Sequence, residues 1–357
     1  MWITIITLLV FFCLLFFIFF WIFTTQLESY QNTFLINFYE SSFYRKPDPV
    51  TTLYYSSMSI PQMNHELDDY KLKVEAGKKL ARPQHILLTG LIRNSSGNIG
   101  FIQHFFKELQ SHFASVQLLI VENNSDDHTR QELLQWSSQD TGVQLLCPFE
   151  MDQVNHHECY LPQFDSRIEH GISRDRIYRL SHLRNFYLDY IQARVKWQHC
   201  HYLFVMDFDL NGELPMDGIF HTLWEFSNNS DISGIACNGI VIDHLSIYRP
   251  FRYYDSFAHI DRGDPITWDN SFDKQSHDME VLHNITDRYT QSMKLDRVTS
   301  AFGGFCIYNI HHIYQTQARY SYTSFPMGRV SCEHSHFHVQ LGSMYVNPRM
   351  VFHINYV

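Results

Sequence analysis

The chain has 357 residues, 45% of them apolar and 16% aromatic, enough for one large core or two small ones. Its formal charge of −10 argues against a nucleic-acid partner, because a phosphate backbone asks for a basic surface. The 22 histidines are scattered, and neither a repeat nor a low-complexity tract divides the sequence.

The first element is the most pronounced. From Ile3 to Phe23 every residue is apolar except Thr4 and Thr7. About 21 residues at 1.5 Å each reach roughly 31 Å, the thickness of a hydrocarbon core. The run is longer than a cleaved leader's apolar stretch and lacks its basic start and small-residue cleavage site, so residues 1–24 are expected to be a transmembrane anchor. Orientation has few charges to rest on, since neither Lys nor Arg occurs before Arg45. Sequons at Asn94, Asn123, Asn228 and Asn284 favour a lumenal domain. Six cysteines follow the anchor (Cys147, Cys159, Cys200, Cys237, Cys306 and Cys332), an even number compatible with disulfides but without zinc-like spacing.

Residues 25–82 read as a stem, with a short charged helix over Lys71–Leu80 before Pro83. Residues 83–357 read as the catalytic domain. Its apolar runs predict strands at His85–Leu91, Val116–Val121, Val143–Leu146, Tyr202–Met206, Ile232–Cys237, Ile240–Ile242 and Met350–Phe352. Helices are expected at Ile99–Phe113, at Thr129–Trp136 (capped by Asp126 or Asp127) and at Leu180–Val195. The alternation implies an α/β domain with a mostly parallel sheet, whose ligands sit at the carboxyl ends of the strands.

Polar residues gather at those ends. Tyr202–Met206 runs out into Asp207-Phe208-Asp209. In extended chain, residues two apart share a side, so both carboxylates can meet one hard divalent cation. The bland reading makes one a cap and leaves the other solvated. Glu122, Asn123, Asn124, Ser125, Asp126 and Asp127 close the second strand. There a carboxylate can accept from a nucleobase or ribose, though the same residue types also cap helices. Arg93, after the first strand, and Arg184-Asn185, on the helix before the fourth, can bind a phosphate or a site carboxylate, or form surface ion pairs. Near the C-terminus, Glu333, His334, His336 and His338 cluster, and His353 follows the last strand. Such groups can act as base or metal ligand, while at least one of these histidines is expected to be structural.

Taken in order, these motifs over residues 84–357 resemble nucleotide-sugar glycosyltransferases of the GT-A fold, a Rossmann-like sheet flanked by helices. VENNSDD (121–127) resembles the nucleotide-binding motif, LRN (183–185) the helix before the metal site, Asp207-Phe208-Asp209 the D-x-D, and Cys332-Glu333-His334 the x-E-D. His353 falls where many members carry a metal-binding histidine. A narrower resemblance is to the fungal capsule-associated mannosyltransferases, through the LRN helix, YYDSFA (253–258), Gly303-Gly304-Phe305 and VNPRMV (346–351).

The resemblance implies a hexosyltransferase using GDP-mannose or a UDP-sugar on a glycan or glycoconjugate hydroxyl. Mn2+ or Mg2+ would be held by Asp207, Asp209 and His353. Arg93, Glu122, Asp127, Arg184, Asn185 and Asp207 would contact the donor, and Glu333 or His334 would serve as base beside Asp209. The base position departs from the family, with His334 in place of Asp, so inverting and retaining chemistry both stay open. With the anchor, the resemblance implies a single-pass type II protein of the Golgi or ER with a lumenal domain. Two competitors are a catalytically inactive sugar-binding membrane protein and a metal-dependent hydrolase. The latter should carry a second metal cluster such as H-x-H-x-D, which the sequence lacks.

Overall fold

The computed structural model describes residues 60–146, 174–194, 199–242, 251–267, 279–291 and 294–355. The expected anchor, most of the stem, Cys147 and Cys159 lie outside these residues. Among the described residues, none of the helices is long and apolar enough to cross a membrane.

The elements are α1 (Ile60–Ala81), β1 (His85–Ile92), α2 (Ile99–His112), β2 (Ser115–Glu122), α3 (Thr129–Gln139), β3 (Val143–Leu146), α4 (Arg174–Gln192), β4 (Tyr202–Met206) and β5 (Asn211–Glu213). Then come α5 (Met216–Asn228), β6 (Gly234–Ile242), β7 (Phe251–Tyr253), α6 (Met279–Gln291), β8 (Asp296–Val298), β9 (Phe305–Asn309), α7 (Ile310–Thr316), α8 (Glu333–Leu341) and β10 (Met344–Asn355). Among the described residues the strands form one 10-stranded sheet in the order β3-β2-β1-β4-β9-β6-β10-β5, with β7 beside β6 and β8 beside β10.

The α/β class expected from the alternation is present, but the sheet is mixed rather than mostly parallel. The β3-β2-β1-β4 half is parallel, and β6 runs parallel to β10. Between them β9 is antiparallel to both β4 and β6. It enters through Gly303 and Gly304, whose φ values of 67 and 88 reverse the chain. The two strands expected at 232–242 are one continuous strand, β6.

Alternating residues of the inner strands feed two cores. Ile86, Leu88, Val116, Leu118, Ile120, Phe204 and Met206 pack on one side, while Leu87, Leu119, Val121, Leu203 and Val205 pack on the other. The first side is covered in part by α1. Tyr70, Val74 and Ala81 are buried, and Gly77 brings the helix onto α5, where an added Cβ would lie 1.8 Å from the Phe220 carbonyl oxygen. The helix expected over 71–80 is thus longer, and the folded unit begins before residue 83, because this apolar stripe has docked on the domain.

Four cysteines, Cys200, Cys237, Cys306 and Cys332, are free and buried. Of the sequons, Asn123 is buried, while Asn94, Asn228 and Asn284 are exposed.

Candidate active site

The site forms at the end of β4. The chain does not stay extended there: Leu210 N donates to Asp207 O at 3.2 Å, closing a turn. Phe208 is fully buried, its ring seated over Gly90, where a Cβ would lie 2.7 Å from it. With Phe208 as the plug, Asp207 is half-buried and Asp209 reaches solvent. The two carboxylates are close enough for Asp209 to raise the Asp207 carboxyl. Burial is the larger cause, Arg184 opposes both, and Asp207 is pushed up to about 6. Asp207 N donates to Gly304 O at 3.0 Å and Asn98 Nδ2 to Asp209 O at 2.7 Å, so β9 and the start of α2 fix the turn.

Arg184, on α4, lies across the floor with 4% of its side chain exposed. Its Nη2 donates to Asp207 Oδ1 at 2.9 Å and its Nε to Glu333 Oε1 at 3.0 Å. Glu333 opens α8 and is itself buried, with Cys332 Sγ 3.7 Å from its other oxygen. The next residue on α4, Asn185, exchanges two hydrogen bonds with the Tyr320 backbone, at 2.8 and 2.9 Å. It acts on the chain leading to α8.

The histidines of α8 divide by role. His338 bridges Ser300 Oγ (2.9 Å) and Tyr308 Oη (2.8 Å) inside the core, the structural histidine expected from the cluster. His336 bonds Thr323 Oγ1 at 2.9 Å. His334 stacks on Phe302 at 3.9 Å, and neither ring nitrogen has a hydrogen-bond partner among the described residues. Burial, with Arg184 nearby, holds its imidazole neutral, well below the usual histidine range.

The loops after β1 and β2 are laced together. Asn94 N donates to Ser125 Oγ (3.0 Å), Asp126 N to Asn94 Oδ1 (2.9 Å) and Ser95 N to Thr129 Oγ1 (2.8 Å). Asp127 accepts from Thr129 N at 2.9 Å and Ser96 N at 3.3 Å, which ties the two loops at the start of α3, whose N-cap is His128 rather than the expected Asp126 or Asp127. Glu122 is fully buried, accepting from Ser125 N and, at 2.9 Å, from Arg130 Nε. Arg93 is half-buried at the head of these loops.

His353 lies in β10 opposite Glu213, half-buried, with its Nε2 enclosed and unpartnered among the described residues. Among the described residues, no three His, Cys, Asp or Glu side chains converge as a metal site. The Asp207–Asp209 pair nevertheless suits Mg2+ or Mn2+. Such ions are commonly held by one or two carboxylates while substrate phosphates and water complete the shell.

Asp255 is the site residue that the sequence did not single out. It follows β7 in a left-handed turn (φ 61), closed by Ala258 N donating to Asp255 O at 3.1 Å. Burial first, then the Asp207 and Glu333 charges, raise its carboxyl well above the usual range. The signal was present in YYDSFA, an acid directly after an aromatic run.

None of the known family models matches the chain, and no curated protein sequence matches it. Among solved structures it is similar to PcManGT, a mannosyltransferase from Pyrobaculum calidifontis in complex with GDP-Man and Mn2+. The TM-score is 0.41 at 10% identity, covering 85% of this chain and 68% of that one. It is also similar to S. aureus TarS residues 1–349 in complex with UDP-GlcNAc, with a TM-score of 0.36 at 8% identity over 75% of this chain and 57% of that one. For GalNAc-T7 with UDP, GalNAc and Mn2+, the values are 0.41 and 11%, over 77% of this chain and 44% of that one. The chain therefore spans less than two thirds of the latter two.

Proposed function

We propose that the chain is a metal-dependent glycosyltransferase, moving a hexose from a nucleotide-diphosphate sugar to a hydroxyl of a glycan or glycoconjugate. The observation that carries this reading is the pairing of Asp207, two residues from Asp209, with a buried Glu333 across one guanidinium. The two aspartates suit a cation and a diphosphate, and Glu333 suits a hydroxyl proton. The motif order that resembles GT-A enzymes supports the same reading.

Asp207 and Asp209 would hold Mn2+ or Mg2+, which supplies Lewis-acid stabilisation of a leaving diphosphate. The laced loops carrying Arg93, Glu122 and Asp127 form the nucleoside end. Both Glu122 oxygens are turned inward, so in this reading its role is to shape the loop while neighbouring backbone and Arg93 meet the donor. In an inverting transfer the acceptor oxygen bonds to the anomeric carbon as the bond to the diphosphate oxygen breaks. Glu333 takes the acceptor proton, and the nucleoside diphosphate leaves with the electron pair. His334, held neutral against Phe302, lines the wall. GDP-mannose and UDP-sugars are the donors to try first. The apolar run 3–23 would tether the domain in the Golgi or ER lumen as a type II protein.

The test is Mn2+-dependent hydrolysis or transfer across a panel of nucleotide sugars, comparing the full chain with Asp209→Ala. Asp209→Ala should abolish turnover, and undiminished turnover in that variant rejects the assignment. The burial of Glu333, with its Oε1 held by Arg184, favours one second reading, a sugar-binding protein without catalysis. That reading expects metal-dependent nucleotide binding without turnover of any donor.

A further inference from the structure

We infer that Arg184 is a positioning residue that joins the two ends of the site, setting Glu333 by reference to Asp207. The inference goes beyond the glycosyltransferase reading and uses it only for the kinetic readout.

Asp207 and Glu333 stand on independent pieces of chain, 23 and 149 residues from Arg184. One follows a central strand, and the other opens a helix near the C-terminus. The loop after β4 and the entry to α8 have no covalent reason to keep a fixed distance. A single guanidinium supplies it. Its Nε and Nη2 hydrogens lie along one edge of a rigid plane, and that edge holds Glu333 at 3.0 Å and Asp207 at 2.9 Å. The plane is restrained as well: the Phe302 and Tyr320 ring centroids lie 5.4 and 5.7 Å from Cζ.

Tyr320 is anchored to the same helix. Asn185 grips its backbone, and Tyr187 Oη donates to Tyr320 Oη at 2.9 Å. Three neighbouring residues of α4 therefore set the placement of the turn after β4 and of the chain entering α8. The buried charge gives the arrangement its stiffness. One guanidinium faces two carboxylates, so removing Arg184 leaves both acids without their counter-charge, whereas removing either acid leaves a one-to-one pair. A lysine at 184 keeps the charge but offers a point donor on a flexible stem, which cannot hold two acceptors in one plane.

The test compares Arg184→Lys, Glu333→Gln and the double variant in the full-length protein with a donor identified by the panel. A reacting group displaced by an ångström typically loses about 100-fold in rate, so Arg184→Lys should lower kcat about that much. Glu333→Gln should change donor KM less than about threefold, since Asp207 and Asp209 keep their places. The double variant should be no slower than Glu333→Gln alone, because Arg184 acts through Glu333. Losses that multiply overturn the inference. A crystal structure of Asp207→Ala gives an answer that needs neither a donor nor a folded Arg184→Lys. In it the Arg184 and Glu333 side chains should move from their present places, and finding both unmoved overturns the inference. A wild-type chain inactive with every donor removes the glycosyltransferase reading, and the Asp207→Ala structure still decides the clamp.

Discussion

The two faces of the sheet are built from different chemistry. Beneath α1, α2, α3 and α5 most of the aromatic side chains are phenylalanines, several meeting edge to face: Phe113 on Phe204, and Phe204 and Phe105 on Phe305, at interplanar angles of 87–90°. Beneath α4, α6, α7 and α8 they are tyrosines: Tyr187, Tyr190, Tyr253, Tyr289, Tyr308 and Tyr320. Several of their hydroxyls are paired: Tyr187 with Tyr320 at 2.9 Å, Tyr308 with His338 at 2.8 Å and Tyr289 with His259 at 2.7 Å. Apolar burial stabilises without direction, whereas buried hydrogen bonds fix distances and angles. The face that carries Arg184 and Glu333 is the directional one.

The largest expected effect tests the apolar face. Phe204→Ala should cost about 3–5 kcal/mol by opening a cavity under two edge-to-face contacts. The check is a fall in denaturant midpoint at unchanged m-value. On the other face, Tyr187→Phe should cost about 1–3 kcal/mol by stranding the Tyr320 hydroxyl. Adding Tyr320→Phe should cost little more, since the stranded group is then gone. Fully additive losses would mean that this face, too, is held mainly by area.

Acid should separate the faces further. His338 is driven down to about 3 by burial and by Arg184, against an unfolded value near 6.5. Its neutral form therefore favours folding fully above about pH 6.5, and that contribution is lost as pH falls toward 3. Asp207, raised to about 6, pulls the opposite way between roughly pH 4 and 6. His338→Gln should flatten the fall in urea midpoint between pH 7 and pH 5.

The smallest effect falls at the start of α5. Asp217 is pushed up to about 7 by burial, with Lys78 opposing and Glu75 and Glu108 adding to the rise. Its protonated form favours folding, so stability is lost as pH rises from about 4 through 7. Asp217→Asn should raise the melting temperature at pH 8, by less than about 1 kcal/mol in stability because the group is partly solvated, and leave it little changed at pH 4.

The parallel half of the sheet was legible because continuous apolar runs such as HILLTGLI and YLFVM read as buried strands. The antiparallel insertion was not. Phe305–Asn309 is short and follows two glycines, so its direction depends on a turn that no periodicity reports. Two-residue alternation alone makes the Asp207 turn look like extended chain. The buried Phe208 still separates the two acids, but through a turn. Arg184, Asp207 and Glu333 were recognisable by residue type and by their place at element ends. That one guanidinium serves both carboxylates was not, since the partners lie so far apart in sequence. Asp255 is hidden for a related reason: its neighbours Asp207 and Glu333 are brought to it only by the folded sheet.

The shared guanidinium also bears on how such a chain can diverge. Losing Arg184 alone leaves two carboxylates without their counter-charge, and losing both acids strands a buried guanidinium, so piecemeal substitution along a lineage would be disfavoured. The three positions should then change together or persist together, while surface and loops drift around them. An Arg on a helix, an acid 23 residues later at a strand end and another acid 149 residues after the Arg form a covarying triplet. In distant sequences it should remain detectable after overall identity has faded.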